Sequence, residues 1–269
     1  MQHRNLDRVE FSGLVITRND DEHLAACLSS LSFCKDIVVV DQKSDDRSRE
    51  IAQEVGANVL IRDPVPVVEH LLGEVVRETE LDWIFRLDPD EVCPPALAEQ
   101  PFRAIENHGS RIGKVELPVQ FYFRGEPLRG TVWGPPKWSA RIFNRQRVNI
   151  SSQVHRGLQT RNEFGTYRIE YDGANALEHY WADSFRELLG KHRRYIPQEA
   201  SAMSSEGKKV ARSTLMYDPA RAFLYSLVVR NGWRDGWRGF FLSGFYAWYI
   251  AKSLQALREE SYKARVGGE

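Results

Sequence analysis

Four short apolar runs, separated by stretches of helical periodicity, dominate the first third of the chain. These runs are typical of strands, because they are rich in branched or aromatic residues and too short for helices. They cover residues 14–16, 37–40, 58–61 and 83–87. Between them, apolar positions recur at helical spacing near 24–31, 51–55 and 67–80. Strands alternating with helices predict an α/β domain with a Rossmann-like, mostly parallel sheet and helices on both faces.

A polar cluster follows the first, second and fourth predicted strands, at residues 17–20, 41–46 and 88–91. In a parallel sheet the carboxyl ends of the strands share one edge, and ligands bind at that edge. Each cluster alone could be a loop that caps the next helix. Because all three hold the same position relative to a strand, they favour a polar ligand site.

The second half of the chain changes character. Residues 116–154 combine short strand-like runs with aromatic and turn residues, which predicts a β-rich extension. Helical patterns follow near 180–207, 219–230 and 237–258. We therefore predict a domain at residues 1–178 that includes the β-rich part, followed by a helical region at 179–269.

The formal charge is balanced overall but unevenly distributed, which narrows the possible partners. The 37 Lys and Arg equal the 37 Asp and Glu in number, which argues against a general nucleic-acid binder. From residue 185 onward, however, 15 basic residues face 8 acidic ones, whereas the preceding part has 22 against 29. An acidic domain followed by a basic region suggests two separate tasks.

Cysteine usage and hydropathy indicate a cytoplasmic protein. The three cysteines, Cys27, Cys34 and Cys93, form no Cys-x-x-Cys pair and are odd in number, so we expect no disulfide framework. The first ten residues are polar, which predicts no signal peptide. No run approaches the roughly 20 apolar residues of a membrane span.

The triplet Asp88-Pro89-Asp90 is the strongest candidate for chemistry. Two carboxylates in such a turn can hold Mg²⁺ or Mn²⁺ and leave places for substrate phosphates. Asp41, directly after the second predicted strand, can accept hydrogen bonds from a ribose or a base. A dinucleotide enzyme would use a similar acid, but the glycine-rich phosphate fingerprint is absent after residue 16, and so is a P-loop.

Residues 14–19, 37–48 and 82–91 together resemble the inverting glycosyltransferase family 2. Later motifs continue the resemblance in order and are similar to the branch of lipopolysaccharide core transferases. They include residues 141–143, Val154-His155 and His179-Tyr180. The resemblance implies a GT-A fold and sugar transfer from a nucleotide diphosphate, with the β-rich part on the acceptor side.

The resemblance also implies roles for particular residues. The nucleotide-sugar donor would be contacted by Thr17, Arg18, Asn19, Glu22, Asp41 and Asp88. Asp88 and Asp90 would hold the divalent metal and the diphosphate. Asp90, Arg141 and His155 would be the catalytic residues, the last two lining the donor and acceptor region.

One departure from the family pattern concerns the catalytic base. The residue after His155 is commonly Glu in the family, but here it is Arg156, which stays protonated. His155 itself could take the proton, or a carboxylate from elsewhere could do so; the candidates are Glu116, Glu178 and Asp183. Alternatively the acceptor is already anionic, or the protein binds nucleotide sugars or glycans without turnover.

Residues 240–251 are almost wholly apolar and aromatic, and basic residues flank them. The flanking cations are Arg230, Arg234, Arg238 and Lys252. This pattern suits a helix lying on an anionic membrane, and equally a helix packed on the core or on a second subunit. The expected partners are therefore a nucleotide sugar, a glycan or lipid-linked acceptor, and either the inner face of the cytoplasmic membrane or a second copy.

Overall fold

The computed structural model describes residues 9–65, 68–150, 158–205, 210–211 and 213–266. Its strands are β1 (Ser12–Thr17), β2 (Asp36–Asp41), β3 (Asn58–Ile61), β4 (Trp83–Leu87), β5 (Glu91–Val92), β6 (Ile112–Phe123), β7 (Glu126–Pro127), β8 (Lys137–Asn144), β9 (Val148–Ile150), β10 (Leu158–Thr160), β11 (Gly165–Arg168) and β12 (Leu177–Ala182). Its α-helices are α1 (Asp21–Ser30), α2 (Ser48–Glu54), α3 (Glu69–Val75), α4 (Pro95–Ala98), α5 (Gln100–His108), α6 (Phe185–Ser205), α7 (Thr214–Leu224) and α8 (Gly236–Val266). A π-helical turn (Tyr225–Val229) and a 3₁₀ turn (Gly232–Asp235) connect α7 to α8.

The main sheet has the order β3-β2-β1-β4-β8-β6-β12-β5. Its first four strands are parallel, whereas β8 pairs antiparallel with both β4 and β6, and β12 pairs antiparallel with β5. The predicted α/β class, with a Rossmann-like parallel part and a helical C-terminal region, is confirmed. Strands β1, β2 and β4 begin and end within two residues of the predicted runs.

Continuous apolar strands explain why the parallel part forms. All six residues of β1 are buried, and so are Val38, Val39 and Val40 of β2, because helices cover both faces of the sheet. Leu14 and Val40 are fully buried in one cluster with Ile84 of β4. Burying each such side chain stabilises the fold by about 1.5–3 kcal/mol.

Several predicted helices have other bounds in the structure. The helix predicted from residue 180 is wrong at its start, because Leu177–Ala182 forms strand β12 and the helix begins at Phe185. The helix predicted at 67–80 covers only Glu69–Val75. Helices α4 and α5 were not predicted at all.

The helix predicted near 219–230 has other bounds in the structure. Helix α7 begins at Thr214 and ends at Leu224, so Pro219 lies inside it. Pro219 has no N–H to donate to the carbonyl oxygen of residue 215. The helix nevertheless continues past it for five residues.

The chain forms two compact units. Unit 1 contains residues 1–119 and 136–179, and unit 2 contains residues 120–135 and 180–269. Strands β6 and β12 each run on from unit 1 into unit 2. The sequence-based division after residue 178 stays a prediction about domains.

Unit 2 has an aromatic core of its own. Phe123, Trp181, Leu242 and Phe245 are buried in it, so part of the apolar run at 240–251 packs inside the unit. In the part of the chain that the structure describes, no helix is long and apolar enough to cross a membrane.

His192 is a buried polar residue that contacts the aromatic core of unit 2. It lies among the rings of Trp181, Phe245 and Tyr249, at 5.4, 4.7 and 5.1 Å between centroids. Burial lowers the pKa of His192, because an apolar surrounding disfavours the charged ring. Its Nδ1 contacts the carbonyl oxygen of Leu188 at 2.9 Å, so the neutral ring is held in one orientation.

Candidate active site

Strand register brings the three polar clusters together. Thr17 at the end of β1 lies beside Asp41 at the end of β2, and Val15 lies beside Leu87, the last residue of β4. The cluster that starts at Asp88 therefore follows at the same edge. The predicted meeting of the clusters at the carboxyl ends of the strands is confirmed.

The loops after β1 and β2 are fastened to each other by hydrogen bonds. The Asn19 backbone N–H donates to Ser44 Oγ at 3.0 Å, and Asn19 Oδ1 accepts from the Asp45 N–H at 2.8 Å. Asn19 adopts a positive φ of 58°, a conformation that Asn tolerates better than most residues. Asp46 accepts from the N–H of Asp21 at 3.1 Å.

The nucleotide candidates on the first loop are placed differently with respect to solvent. Thr17 is buried, and its hydroxyl lies 3.5 Å from Asp20 Oδ2. Arg18, Asn19 and Glu22 are exposed. The three exposed side chains can contact a ligand directly. Thr17 instead contacts Asp20 and so helps to hold the loop in place.

Asp41 is buried with both carboxylate oxygens engaged. Arg49 donates twice to Oδ2, at 2.7 and 3.1 Å, and the Ser44 N–H donates to Oδ1 at 3.1 Å. Burial opposes ionisation, but the hydrogen bonds from Ser44 and Arg49 outweigh it, so the pKa of Asp41 is lowered. The Arg49 side chain remains 39% exposed, which puts a fixed positive charge at the rim.

Asp88 is held between two arginines. Arg86 donates to its Oδ1 at 3.2 Å, and Arg141 of β8 donates to its Oδ2 at 2.9 Å. Burial again opposes ionisation, yet the charges of Arg141 and Arg86 hold the pKa of Asp88 well below its ordinary value. The carboxylate is thus ionised and already balanced by positive charge.

Arg141 also contacts Glu91, which is fully buried. Glu91 Oε2 accepts from the Asp88 N–H at 3.0 Å and so fixes the turn. Burial raises the pKa of Glu91, although Arg141 opposes the shift. The Nε of Arg141 is buried and has no hydrogen-bond partner among the described residues, and an unpaired buried donor is costly.

His179 completes the group. It lies opposite Glu91 in the β12–β5 pair, with its Nε2 3.4 Å from Asp90 Oδ2 and its Nδ1 3.7 Å from Glu91 Oε1. Burial alone would lower the pKa of His179, but the hydrogen bond to Asp90 and the nearby carboxylates raise it.

Sequence reasoning gave Glu91 no role beyond membership of the polar cluster at 88–91, and it did not place His179 in the site. No local pattern marks His179, because it occupies an ordinary position in a strand. The only available signal was its occurrence among the motifs that resemble the family.

The candidates for the catalytic base differ in their location, and some lie outside the described residues. His155 and Arg156 lie outside the described residues. Glu178 precedes His179 in β12, and side chains alternate along a strand, so it projects from the opposite face. Asp183 belongs to unit 2.

Glu116 is already engaged by a basic partner. It lies opposite Ala140 in the β6–β8 pair, next to a register shift that interrupts the alternation of side chains at Arg141. Arg168 donates to Glu116 at 2.8 and 3.0 Å. Glu178 therefore projects away from the face of His179, whereas Glu116 is paired with Arg168.

Comparisons with known proteins point in one direction. The family model described as glycosyl transferase family 2 matches residues 12–163. A glycosyltransferase of Rickettsia typhi is 24% identical over 95% of this chain and 89% of its own length. The lipopolysaccharide core biosynthesis glycosyltransferase LpsC of Rhizobium meliloti is 25% identical over 87% of each chain.

Solved structures of lower similarity were also found. S. aureus TarS (1-349) matches 96% of this chain and 92% of its own, with 12% identity and a TM-score of 0.44. Glucosyl-3-phosphoglycerate synthase from Mycobacterium tuberculosis, solved with Mn²⁺, uridine diphosphate and phosphoglyceric acid, matches 43% of this chain and 44% of its own. Its identity is 20% and its TM-score 0.33.

Proposed function

Because the chain belongs to glycosyltransferase family 2 and has the GT-A fold, we propose that this glycosyltransferase inverts configuration while moving a sugar from a nucleotide diphosphate to a glycan or lipid-linked acceptor. A single displacement by an acceptor hydroxyl inverts the anomeric carbon and needs no enzyme nucleophile. The observation that carries the proposal is the grouping of Asp88, Asp90, Arg141 and His179 at the end of β4.

The donor nucleotide is proposed to bind over the loops after β1 and β2. Arg18, Asn19 and Glu22 supply exposed polar groups there, and Thr17 supports the first loop. Asp41 acts by holding Arg49, since its own oxygens are engaged. Arg49 then offers its charge to a phosphate or a base carbonyl.

The residues present fit a divalent cation. Asp90 and His179 bring a carboxylate oxygen and an imidazole nitrogen within 3.4 Å of each other. The nitrogen favours Mn²⁺ over Mg²⁺, whose ligands are oxygens. Asp88, whose oxygens accept from Arg86 and Arg141, is the third proposed ligand. A cation bound by Asp90, His179 and Asp88 supplies neutralisation of the charge on the leaving diphosphate.

Arg141 is proposed to meet the diphosphate directly. Its side chain is 12% exposed, and its Nε is buried without a hydrogen-bond partner among the described residues. A positive group that is fixed before the reaction stabilises developing negative charge at little reorganisation cost. Asp88 and Glu91 fix Arg141, and they also balance its charge before the donor arrives.

His155 is the proposed acceptor of the hydroxyl proton. Glu178 projects from the face of β12 opposite to His179, Glu116 is paired with Arg168, and Arg156 cannot accept a proton. A neutral imidazole titrates near the working pH and suits general-base catalysis.

The decisive test is a screen of nucleotide sugars for thermal stabilisation, with and without Mn²⁺, followed by a transfer assay. A donor at a hundred times its dissociation constant stabilises the folded protein by about 2.7 kcal/mol. We expect one donor to stabilise the protein in a metal-dependent manner and to be consumed with an acceptor. If a donor stabilised the protein but was not consumed with any of the acceptors, the protein would be a binding protein and not an enzyme.

The reaction is also proposed to take place at a membrane surface. Acceptors related to lipopolysaccharide are assembled on lipids, so a lipid-linked acceptor puts this enzyme at the inner face of the cytoplasmic membrane. The basic excess of the C-terminal region, 15 basic against 8 acidic residues, supports this placement.

A further inference from the structure

Exposed apolar side chains are concentrated in unit 2. Of the 15 large hydrophobic residues that are exposed in the described part of the chain, 11 belong to unit 2, and seven of these lie between residues 224 and 240. Among the seven residues between 224 and 240, the most exposed are Val228, Val229, Trp233 and Phe240, at 58–64% of their full surface. An apolar patch of this kind usually marks an interaction site. We call the exposed side chains of residues 224–240 the turn surface.

The backbone beneath the turn surface is firmly packed. A side chain at Gly232 would collide with the carbonyl oxygen of Ser226, and the buried hydroxyls of Ser226 and Ser243 are 3.0 Å apart. Asp235 accepts from the N–H groups of residues 129 and 130, at 2.7 and 2.8 Å. The exposure therefore belongs to an ordered element, held by contacts inside unit 2.

The turn surface is also basic. Arg230, Arg234 and Arg238 lie at residues 224–240, whereas Asp235 is the one acidic residue in that stretch and is engaged by backbone N–H groups. Arg238 also lies 4.0 Å from the exposed Glu126. Arg238 lies over the ring of Trp237 at 5.3 Å, and Arg124 lies over the same ring at 5.7 Å. Positive charge is thus combined with exposed aromatic surface.

We propose that the turn surface docks unit 2 onto an anionic lipid bilayer, an inference that rests on the proposed transfer to a lipid-linked acceptor. Aromatic rings surrounded by arginines suit the boundary between headgroups and acyl chains. A second copy of the chain is a poor occupant, because a twofold interface would bring the same basic patch, with three arginines, from each copy together. The docking residues precede or begin the apolar run at 240–251, whose Leu242 and Phe245 belong to the core.

The experiment uses the full-length protein and lipid vesicles. Co-sedimentation is measured with vesicles of phosphatidylcholine alone and with added phosphatidylglycerol, at low and high salt. The variant Val229→Ser/Trp233→Ser removes two side chains that are more than 60% exposed. The control Val55→Ser/Ile61→Ser removes two exposed apolar side chains from unit 1.

We expect wild type and control to bind the anionic vesicles in a salt-sensitive manner, and the turn-surface variant to bind about tenfold more weakly. Equal binding of the variant and wild type, or no binding of wild type, would overturn the proposal. A variant whose molar mass falls while its vesicle binding is unchanged would assign the surface to a second copy.

Two further readouts separate docking from catalysis and folding. Metal-dependent stabilisation by the donor is measured without vesicles; its failure in wild type overturns the proposed function, whereas vesicle binding tests the docking surface. The thermal unfolding midpoint of the turn-surface variant is compared with that of the control. Because the replaced side chains are exposed, both midpoints are expected to stay near wild type.

Discussion

Replacement of Arg141 by Met removes the positive charge that holds the carboxylate cluster together. Arg141 contacts Asp88 at 2.9 Å and also bonds to Glu91, which is fully buried. After the substitution Asp88 keeps Arg86 at 3.2 Å. Glu91 keeps only His179 as a nearby cation, at 3.7 Å. The perturbation therefore falls mainly on Glu91.

The magnitude follows from that difference in burial. Removing one partner of a buried ion pair costs about 3–5 kcal/mol, because the other charge is left without compensation. Replacing both partners by apolar residues is often neutral. The double variant Arg141→Met/Glu91→Met should therefore recover about 2 kcal/mol or more of the loss. Arg168→Met is the matched control, because Arg168 pairs with Glu116 from an exposed position and should cost at most about 1 kcal/mol.

The assay is urea unfolding of the four proteins, followed by far-ultraviolet circular dichroism. The free energies of unfolding should rank the control near wild type, the double variant below it and Arg141→Met lowest. A loss below about 1 kcal/mol for Arg141→Met, or a double variant that is less stable than Arg141→Met, would refute the account of a buried, mutually dependent pair.

Other consequences of the structure are open to direct measurement. Asp90→Asn should lower metal-dependent transfer by roughly a hundredfold or more at unchanged stability; a wild-type rate would contradict the metal assignment. His155→Ala should flatten the pH profile with a hydroxyl acceptor and slow transfer by about a hundredfold, and an unchanged profile would exclude His155 as the base. Gly239→Ala should destabilise unit 2 by more than 1 kcal/mol or so, because its Cβ would overlap the carbonyl oxygen of Gly232; chemical denaturation measures this. The lowered pKa of His192 means that stability is full above its unfolded pKa of about 6.5 and is lost as pH falls below that value, towards the folded pKa. His192→Phe should reduce this acid sensitivity, and equal pH dependence of the two thermal midpoints would contradict it.

The parallel half of the sheet could be predicted because its signals are local. Residues 37–40 form a continuous branched run, and such a run has few alternatives to a buried strand. Once β1, β2 and β4 are placed side by side, their polar ends must meet. Asp88 and Asp90 were thus found from position alone, before any resemblance was used.

The rest of the candidate site depends on pairing that no local pattern encodes. His179 reaches Asp90 because β12 pairs antiparallel with β5, a strand of only two residues. Tyr180 and Trp181 belong to the same strand, β12, although their surroundings suggested a helix. Arg141 was found by resemblance alone, since an arginine in a strand of the β-rich part has no distinctive signal.

The engagement of Asp41 was likewise hidden from the sequence. An acid after a strand suggests a ligand contact, but the helical residue Arg49 bonds to it eight positions later. Spacing alone does not show whether such a residue turns inward or outward. The sequence could predict an acidic residue at the ligand edge of the sheet. It could not predict that Arg49 already binds the carboxylate of Asp41.

Unit 2 is assembled from two separated stretches of chain, residues 120–135 and 180–269. Unit 2 could not have been added by a single gene fusion, because residues 120–135 lie in sequence between the two stretches of unit 1. A truncation after residue 179 would leave residues 120–135 without the rest of unit 2. Phe123 and Leu128, which belong to the core of unit 2, would then lose their packing partners from the longer stretch. The two units are therefore expected to have been inherited together, and an exchange of unit 2 between relatives requires three junctions, at 119/120, 135/136 and 179/180.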